Sequence, residues 1–255
     1  MNNDIQPSNI AAKMLNLKAK KLRVSPFIEG WRKLTRQTQV DLGGYILQID
    51  NAAMNARIRS QIYRGVYEVS KLVVAESILR LDDHVLELGA GLGLVTVQAA
   101  KVCGSNNVTS YEAVPRNVEI IQRNLSLNKL SADVRARAIG DSDGSVDFFV
   151  NDDAISSSTN ASRGQLKITA PCDDVRRVMN ELRPTVLLID IEGTELDVVP
   201  MLELSNVRAV MIQIHGDVVS DVAASQIMQH FLNAGLLYLH MCSIGNVWAF
   251  ERADS

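Results

Sequence analysis

The sequence predicts an α/β fold: a mostly parallel sheet with helices on both faces, closed by a terminal antiparallel hairpin. Three observations predict it. From residue 84 onward, short apolar runs alternate with helix-period segments. A glycine-rich turn, Gly89-Ala90-Gly91-Leu92-Gly93, follows the first of these runs. Near the C-terminus, two apolar runs flank Ile244-Gly245-Asn246, a hairpin signal.

The elements follow in order. Asn9 to Val24 mixes Ile10, Met14, Leu15, Leu17 and Leu22 with lysines and Arg23, as an amphipathic helix would. Such a helix would dock on the body or on a second subunit, which is compatible with a homodimer. Ser25-Pro26 breaks that pattern. Gly43-Gly44 opens a strand over Tyr45 to Ile49. Asn51 is placed to cap a short helix carrying Met54, Ile58 and Ile62. A second helix spans Gly65 to Leu79. Strands are expected at Val85–Leu88, Val108–Tyr111, Val134–Ala138, Val186–Ile189 and Val207–Ile214. Helices are expected at Leu94–Val102, Pro115–Asn128, Thr194–Leu204 and Val219–Ala234, and Pro115 suits a first helical turn. Leu236–Met241 and Val247–Phe250 form the hairpin. Residues 1–64 read as a cap segment on the substrate side or at a dimer contact, and 65–255 as the main domain.

Composition narrows the function. The chain has 255 residues, 47% hydrophobic, enough for one large core. A net charge of −3 implies no broad basic surface, so nucleic acid is not expected as a partner. Cys103, Cys172 and Cys242 are scattered without a CxxC pair, which fits a reducing cytoplasm. No stretch approaches the ~20 apolar residues that span a bilayer, and no membrane partner is expected.

The glycine turn carries the first chemistry. Glu87 closes the strand before it, and Gly89, Gly91 and Gly93 allow a ligand to approach the backbone. The next helix offers unpaired N–H groups at its start. A dinucleotide fingerprint, G-x-G-x-x-G, fails at Leu94 when counted from Gly89 and at Thr96 when counted from Gly91. E-x-G-x-G-x-G after a strand instead favours S-adenosylmethionine (SAM), whose carboxylate the turn can hold. Glu112, at the end of the next strand, can accept hydrogen bonds from two ribose hydroxyls.

The second dense motif is Ile189-Asp190-Ile191-Glu192-Gly193-Thr194-Glu195. Asp190 ends a buried strand on the edge where open α/β sheets bind ligands. It could orient an acceptor hydroxyl, take its proton or steady a sulfonium. Glu192 and Glu195 could act there or simply complement a helix N-terminus. His215 follows the strand Val207–Ile214 on the same edge and could serve as a general base, or be a loop histidine without a chemical role. His84, His230 and His240 read as structural or surface residues.

These residues together resemble the FkbM family of SAM-dependent methyltransferases. The likeness runs from about Gly65 to His215. It includes Gly65-Val66-Tyr67-Glu68, Tyr111-Glu112-Ala113-Val114-Pro115-Arg116-Asn117, Asn124-Leu125-Ser126-Leu127-Asn128, Ala138-Ile139-Gly140-Asp141-Ser142-Asp143-Gly144, Ser156 to Ser158, and above all the Asp190-x-Glu192-Gly193-x-Glu195 motif. The resemblance implies a class I, Rossmann-like methyltransferase fold. It also implies O-methylation of hydroxyls on small molecules or glycans, such as polyketides, sugars and other natural products. Carried over, Glu87, Gly89, Ala90, Gly91, Gly93, Glu112, Ala113, Asp141 and Asp190 would hold SAM and its product S-adenosylhomocysteine. Tyr67 and Glu68 would close over it, and Asp190, Glu192 and His215 would face the reacting centre. The chain departs from the family in ending its first strand with Glu87 rather than Asp. It also has Gly91, directly after Ala90, where an Asn often stands.

Other readings stay open. An NAD-dependent oxidoreductase conflicts with the glycine spacing and the hairpin. An N-methyltransferase or a non-catalytic SAM-binding protein would use the same cofactor site. Asp141, Asp143, Asp152, Asp153, Asp190 and Glu192 could supply oxygen ligands to magnesium, but Asp141-Ser142-Asp143-Gly144 reads better as a turn, and no metal ligand is assigned. Asn151 to Gly164 reads as a loop able to act as a lid. Phe27, Trp31, Tyr45 and Tyr63 could line an acceptor pocket or belong to the core.

Overall fold

The computed structural model describes residues 23–50, 54–150, 157–158, 166–216 and 218–253. The basic N-terminal stretch lies outside the described residues, as do Asn51 and nearly all of the Asn151–Gly164 loop, Asp152 and Asp153 included.

The chain enters through helix α1 (Pro26–Leu34), the hairpin β1 (Gln39–Asp41) and β2 (Ile46–Gln48), and α2 (Ala56–Arg64). Ser25-Pro26 starts a helix rather than merely breaking a pattern. Ser25 accepts from the Ile28 N–H, and Pro26 occupies the first turn, where its missing donor costs nothing. Asn55 caps α2, through Ile58 N–H at 2.7 Å. The helix expected from Gly65 begins later, as α3 (Val69–Ile78). Gly65 instead ends α2 in the left-handed conformation, and Glu68 at φ 49° turns the chain into α3.

Then come β3 (Val85–Leu88), α4 (Leu94–Cys103), β4 (Val108–Tyr111), α5 (Pro115–Leu127), β5 (Asp133–Arg135), β6 (Ala138–Gly140), β7 (Gly144–Val150), β8 (Ser157–Ser158), β9 (Leu166–Asp174), α6 (Val175–Leu182), β10 (Val186–Ile189), α7 (Glu195–Val198), β11 (Ala209–Gln213), α8 (Asp221–Asn233), β12 (Leu236–Tyr238) and β13 (Val247–Arg252). The main sheet has the order β12-β13-β11-β10-β3-β4-β5, and β13 runs antiparallel between β11 and β12. This is the class I SAM-methyltransferase topology, with the terminal hairpin where the sequence places it. Apolar clusters cover both faces. Leu86, Leu187, Val210 and Phe231 lie on one side, and Val85, Val97, Leu188 and Met211 on the other. Burial on both faces explains why these strands read as continuous apolar runs.

Three features depart from the sequence expectation. The strand expected at Val134–Ala138 is two strands: β5 joins the main sheet, and β6 pairs with β9 in a second sheet of order β6-β9-β7-β8. The chain changes sheets at Arg137, whose N–H bonds back to the Arg135 carbonyl. The helix expected at Thr194–Leu204 is a single turn followed by a 3-10 turn at Val199–Met201, because Pro200 cannot donate to a continuing ladder. Helix α6, capped by Asp174 and burying Val175, Val178 and Met179, was not anticipated.

A buried ion pair fastens the sheet. Arg208 reaches Asp83 at 2.6 Å and Glu251 at 2.5 Å, and donates to the Ile78 carbonyl. It thereby joins β11, β13 and the end of α3. Arg208→Met leaves the buried Asp83 charge without its partner and should cost ~3–5 kcal/mol. Urea denaturation should show this as a lower midpoint at unchanged slope.

Candidate functional site

A cleft of about 590 Å³ opens at the C-terminal ends of β3, β4 and β10. That is where open α/β sheets bind ligands, and the size suits a nucleoside-sized molecule. Its wall includes Tyr67 and Glu68 from the turn into α3, Lys71 from α3 itself, Gly89 and Gly91 from the glycine turn, Glu112 and Ala113 beyond β4, and Asp190 and Glu192 beyond β10.

The glycine turn needs its glycines for different reasons. Gly89 has φ 83°, and a Cβ there would run into the Asp190 carbonyl, so its absence lets β3 and β10 close side by side. Gly91 faces the cleft, where a Cβ would point at Glu68 and Tyr67. Gly93 packs on Ile121 of α5 and does not line the cleft. Ala90 is buried in the core behind the turn.

Glu112 is buried beside the turn. Its Oε2 accepts from Gly91 N–H at 2.8 Å and its Oε1 from Val114 N–H at 2.9 Å. Burial pushes its pKa up to about 7, with these hydrogen bonds pulling the other way. Oε1 also accepts a long bond from the Asn117 amide at 3.4 Å, which a hydroxyl can replace, and Oε2 retains capacity to accept a hydroxyl. Glu87 sits deeper, outside the cleft wall, and accepts from Thr96 and Ser110 at 2.5 and 2.6 Å. Burial raises it to about 7 as well. Asp141 is exposed, hydrogen-bonded to Ser142, and not on the cleft wall.

At the opposite wall a chain of charges runs across the sheet edge. Lys71 places its Nζ 2.5 Å from both Glu68 Oε1 and Asp190 Oδ2. Asp190 Oδ1 is 3.3 Å from His215 Nε2, and His215 Nδ1 is 2.7 Å from Glu195 Oε1. Glu195 Oε2 accepts from Gly193 N–H. Glu192 lies at the edge, 4.0 Å from His215 Nε2. Burial favours a neutral Asp190, but Lys71 and His215 outweigh it and hold the carboxyl well below its usual range. Burial lowers Lys71, yet its two carboxylates keep it firmly protonated. Burial likewise disfavours the His215 imidazolium, but Asp190 and Glu195 raise its pKa to about 10. At neutral pH His215 is therefore already protonated and acts as a donor. Tyr67 is buried next to Glu68 and kept protonated, its pKa raised first by burial and then by that carboxylate.

The structure thus brings Tyr67, Glu68, Gly89, Gly91, Glu112, Ala113, Asp190 and Glu192 to one cleft, with His215 just behind Asp190. Sequence reading missed Lys71, which stands among the valines of an apolar helix, and Arg137, which lines the cleft and pairs with Asp173 at 2.7 Å. The only available signal for Lys71 was a charge inside an otherwise buried pattern. Of the aromatic candidates, Phe27 and Trp31 are 82% and 55% exposed, Tyr63 is in the cap core, and none lines the cleft. Among the described residues no group of three or more His, Cys, Asp or Glu side chains is arranged to hold a metal ion, and no helix is long and apolar enough to cross a membrane.

Residues 65–160 match the family model described as methyltransferase small domain, a segment that carries the glycine turn and Glu112. No curated protein matches the chain. Similar solved structures include a precorrin-6y C5,15-methyltransferase from Geobacter metallireducens (14% identity, 75% of this chain and 81% of that one, TM-score 0.42). Another is TYW2 from M. jannaschii in complex with AdoMet (14%, 85% and 87%, TM-score 0.43). A third is an rRNA methylase from Streptococcus thermophilus (11%, 73% and 95%, TM-score 0.39). The exclusion of nucleic acid drawn from net charge does not stand. An rRNA methylase stands among the neighbours, and a whole-chain sum of −3 does not report how charge is distributed around a cleft. The fold and the family match agree on a SAM-dependent methyltransferase.

Proposed function

We propose that the protein is an FkbM-type SAM-dependent O-methyltransferase acting on a hydroxyl oxygen. The observation that carries this reading is a single cleft with two unlike walls. One wall is the glycine turn with the buried Glu112 carboxylate, suited to a nucleoside. The other is the Asp190–Glu192 edge, suited to an acceptor.

In this reading Glu112 accepts from the ribose hydroxyls and the turn at Gly89 and Gly91 admits the amino-acid end. Tyr67 and Glu68 form the wall over it. When bound, SAM supplies a methyl group already activated by its sulfonium. The protein then has mainly to align two reactants, and alignment alone can lower a barrier by roughly 7–11 kcal/mol. Asp190, ionised and facing the cleft, accepts the hydrogen bond of the acceptor hydroxyl and aims its lone pair. Glu192, nearer the rim, is a second carboxylate able to receive the proton. His215 is proton-loaded and holds Asp190 instead of acting as the base.

Thermal-shift comparison of SAM, S-adenosylhomocysteine and NAD tests the cofactor half. SAM and S-adenosylhomocysteine should raise Tm, and NAD should not. An acceptor panel of sugars, polyketides, amines and RNA tests the other half. Methyl transfer confined to hydroxyl oxygen supports the proposal, and transfer to nitrogen or to a nucleobase overturns it.

A further inference from the structure

The buried charges behind Asp190 exceed what one acceptor-facing carboxylate needs. Five side chains form an unbroken line: Glu68, Lys71, Asp190, His215 and Glu195. They come from the turn before α3, α3 itself, the end of β10, the segment after β11, and α7. Glu195 is 1% exposed and reaches no part of the cleft wall. Its two oxygens are spent on His215 Nδ1 and on the N–H of Gly193, the glycine of the turn that follows Asp190.

We propose that Glu195 and Lys71 are positioning residues that clamp the Asp190–His215 pair from its two ends, Glu195 through His215 Nδ1 and Lys71 through Asp190 Oδ2. The inference rests on the methyl-transfer reading only for its consequence in turnover. The clamp itself is geometric. A carboxylate on Nδ1 fixes the imidazole plane and so keeps Nε2 at ion-pair distance, 3.3 Å, from Asp190 Oδ1. An ammonium on Oδ2 fixes the carboxylate rotation, so that the carboxylate holds its place at the cleft wall. Burying this many charges is costly unless each is paired, and removing one partner strands the others. The other groups facing His215 are Glu192 at 4.0 Å and the Gln213 amide at 3.1 Å. A protonated Nε2 requires that amide to present its oxygen.

The test reads His215 directly, without any acceptor. Nitrogen-detected NMR of the imidazoles, assigned with His215→Gln, should show both His215 ring nitrogens protonated at neutral pH. Glu195→Gln should move the His215 titration down by about one pH unit or more. Glu195→Asp, which keeps the charge but retracts it, should move it part of the way and serves if the glutamine variant does not fold. A titration unmoved in both variants overturns the clamp. With an active acceptor, Lys71→Met should lower kcat by about tenfold or more while KM for SAM stays within a few-fold, and Lys71→Arg should recover part of the loss. Loss of SAM binding with kcat intact would overturn the role of Lys71. A shifted titration in a protein that turns over no acceptor supports the clamp and sinks the methyl-transfer reading. An unshifted titration in an active enzyme sinks the clamp alone.

Discussion

Glu112→Ala is expected to weaken SAM binding by roughly a hundredfold or more. A hydrogen bond to a charged acceptor contributes ~1.5–3 kcal/mol, and the carboxylate is placed to accept two from the ribose. The substitution also frees the N–H groups of Gly91 and Val114, which Glu112 now holds at 2.8 and 2.9 Å. Glu112→Gln keeps the shape and one acceptor oxygen, and separates these effects. The pH dependence follows from burial. Glu112 titrates near pH 7 in the folded protein, and hydroxyl donors prefer its ionised form. SAM affinity should therefore be flat above pH ~8 and weaken by up to about tenfold per unit below pH ~7, as a proton must leave on binding. Calorimetry across pH checks both claims. In Glu112→Gln the Glu112-linked part of the pH dependence should be lost.

Asp190→Asn should lower kcat by about 10²-fold or more, the loss that follows when the group that aligns a reactant is removed. SAM affinity should change less than about threefold, since Asp190 faces the acceptor side. The amide can still accept a hydrogen bond from Lys71, but it no longer offsets the Lys71 and His215 charges, which sit 2.5 and 3.3 Å away. Because those cations hold the Asp190 carboxyl well below its usual range, Asp190 stays ionised throughout the neutral range. Its contribution to stability is present above the ordinary carboxylate pKa and is lost only as pH falls into the strongly acid range. An acid limb in kcat near neutrality must therefore come from another group. Single-turnover rates with a confirmed acceptor check the magnitude, and a loss below about threefold would remove Asp190 from the reacting centre.

The main sheet was legible because its strands are buried on both faces. Val85–Leu88 and Val186–Ile189 read as largely apolar runs, Val108–Tyr111 reads as a short strand of β-favouring residues, and all three lie where expected. The cleft edge was legible because glycines and acids end those strands. What escaped was set by tertiary pairing. Ala138 follows Val134 in one alternating stretch, Val134-Arg135-Ala136-Arg137-Ala138, yet belongs to another sheet, because its partner is Cys172 far along the chain. Pro26 marks a helix start only when Ser25 is seen to cap it. Lys71 reads as an ordinary surface lysine until Asp190, over a hundred positions away in sequence, is brought to its ammonium. His215 suggested a base by type alone. Its two carboxylate neighbours, which decide its charge, are visible only in three dimensions.

A crystal structure with S-adenosylhomocysteine tests the central claim most directly. The account predicts the adenosyl ribose within hydrogen-bond distance of Glu112, the amino-acid end along Gly89 and Gly91, and the sulfur turned toward Asp190. Ligand bound elsewhere, or a cleft closed by side chains with Glu112 touching no sugar hydroxyl, would contradict it.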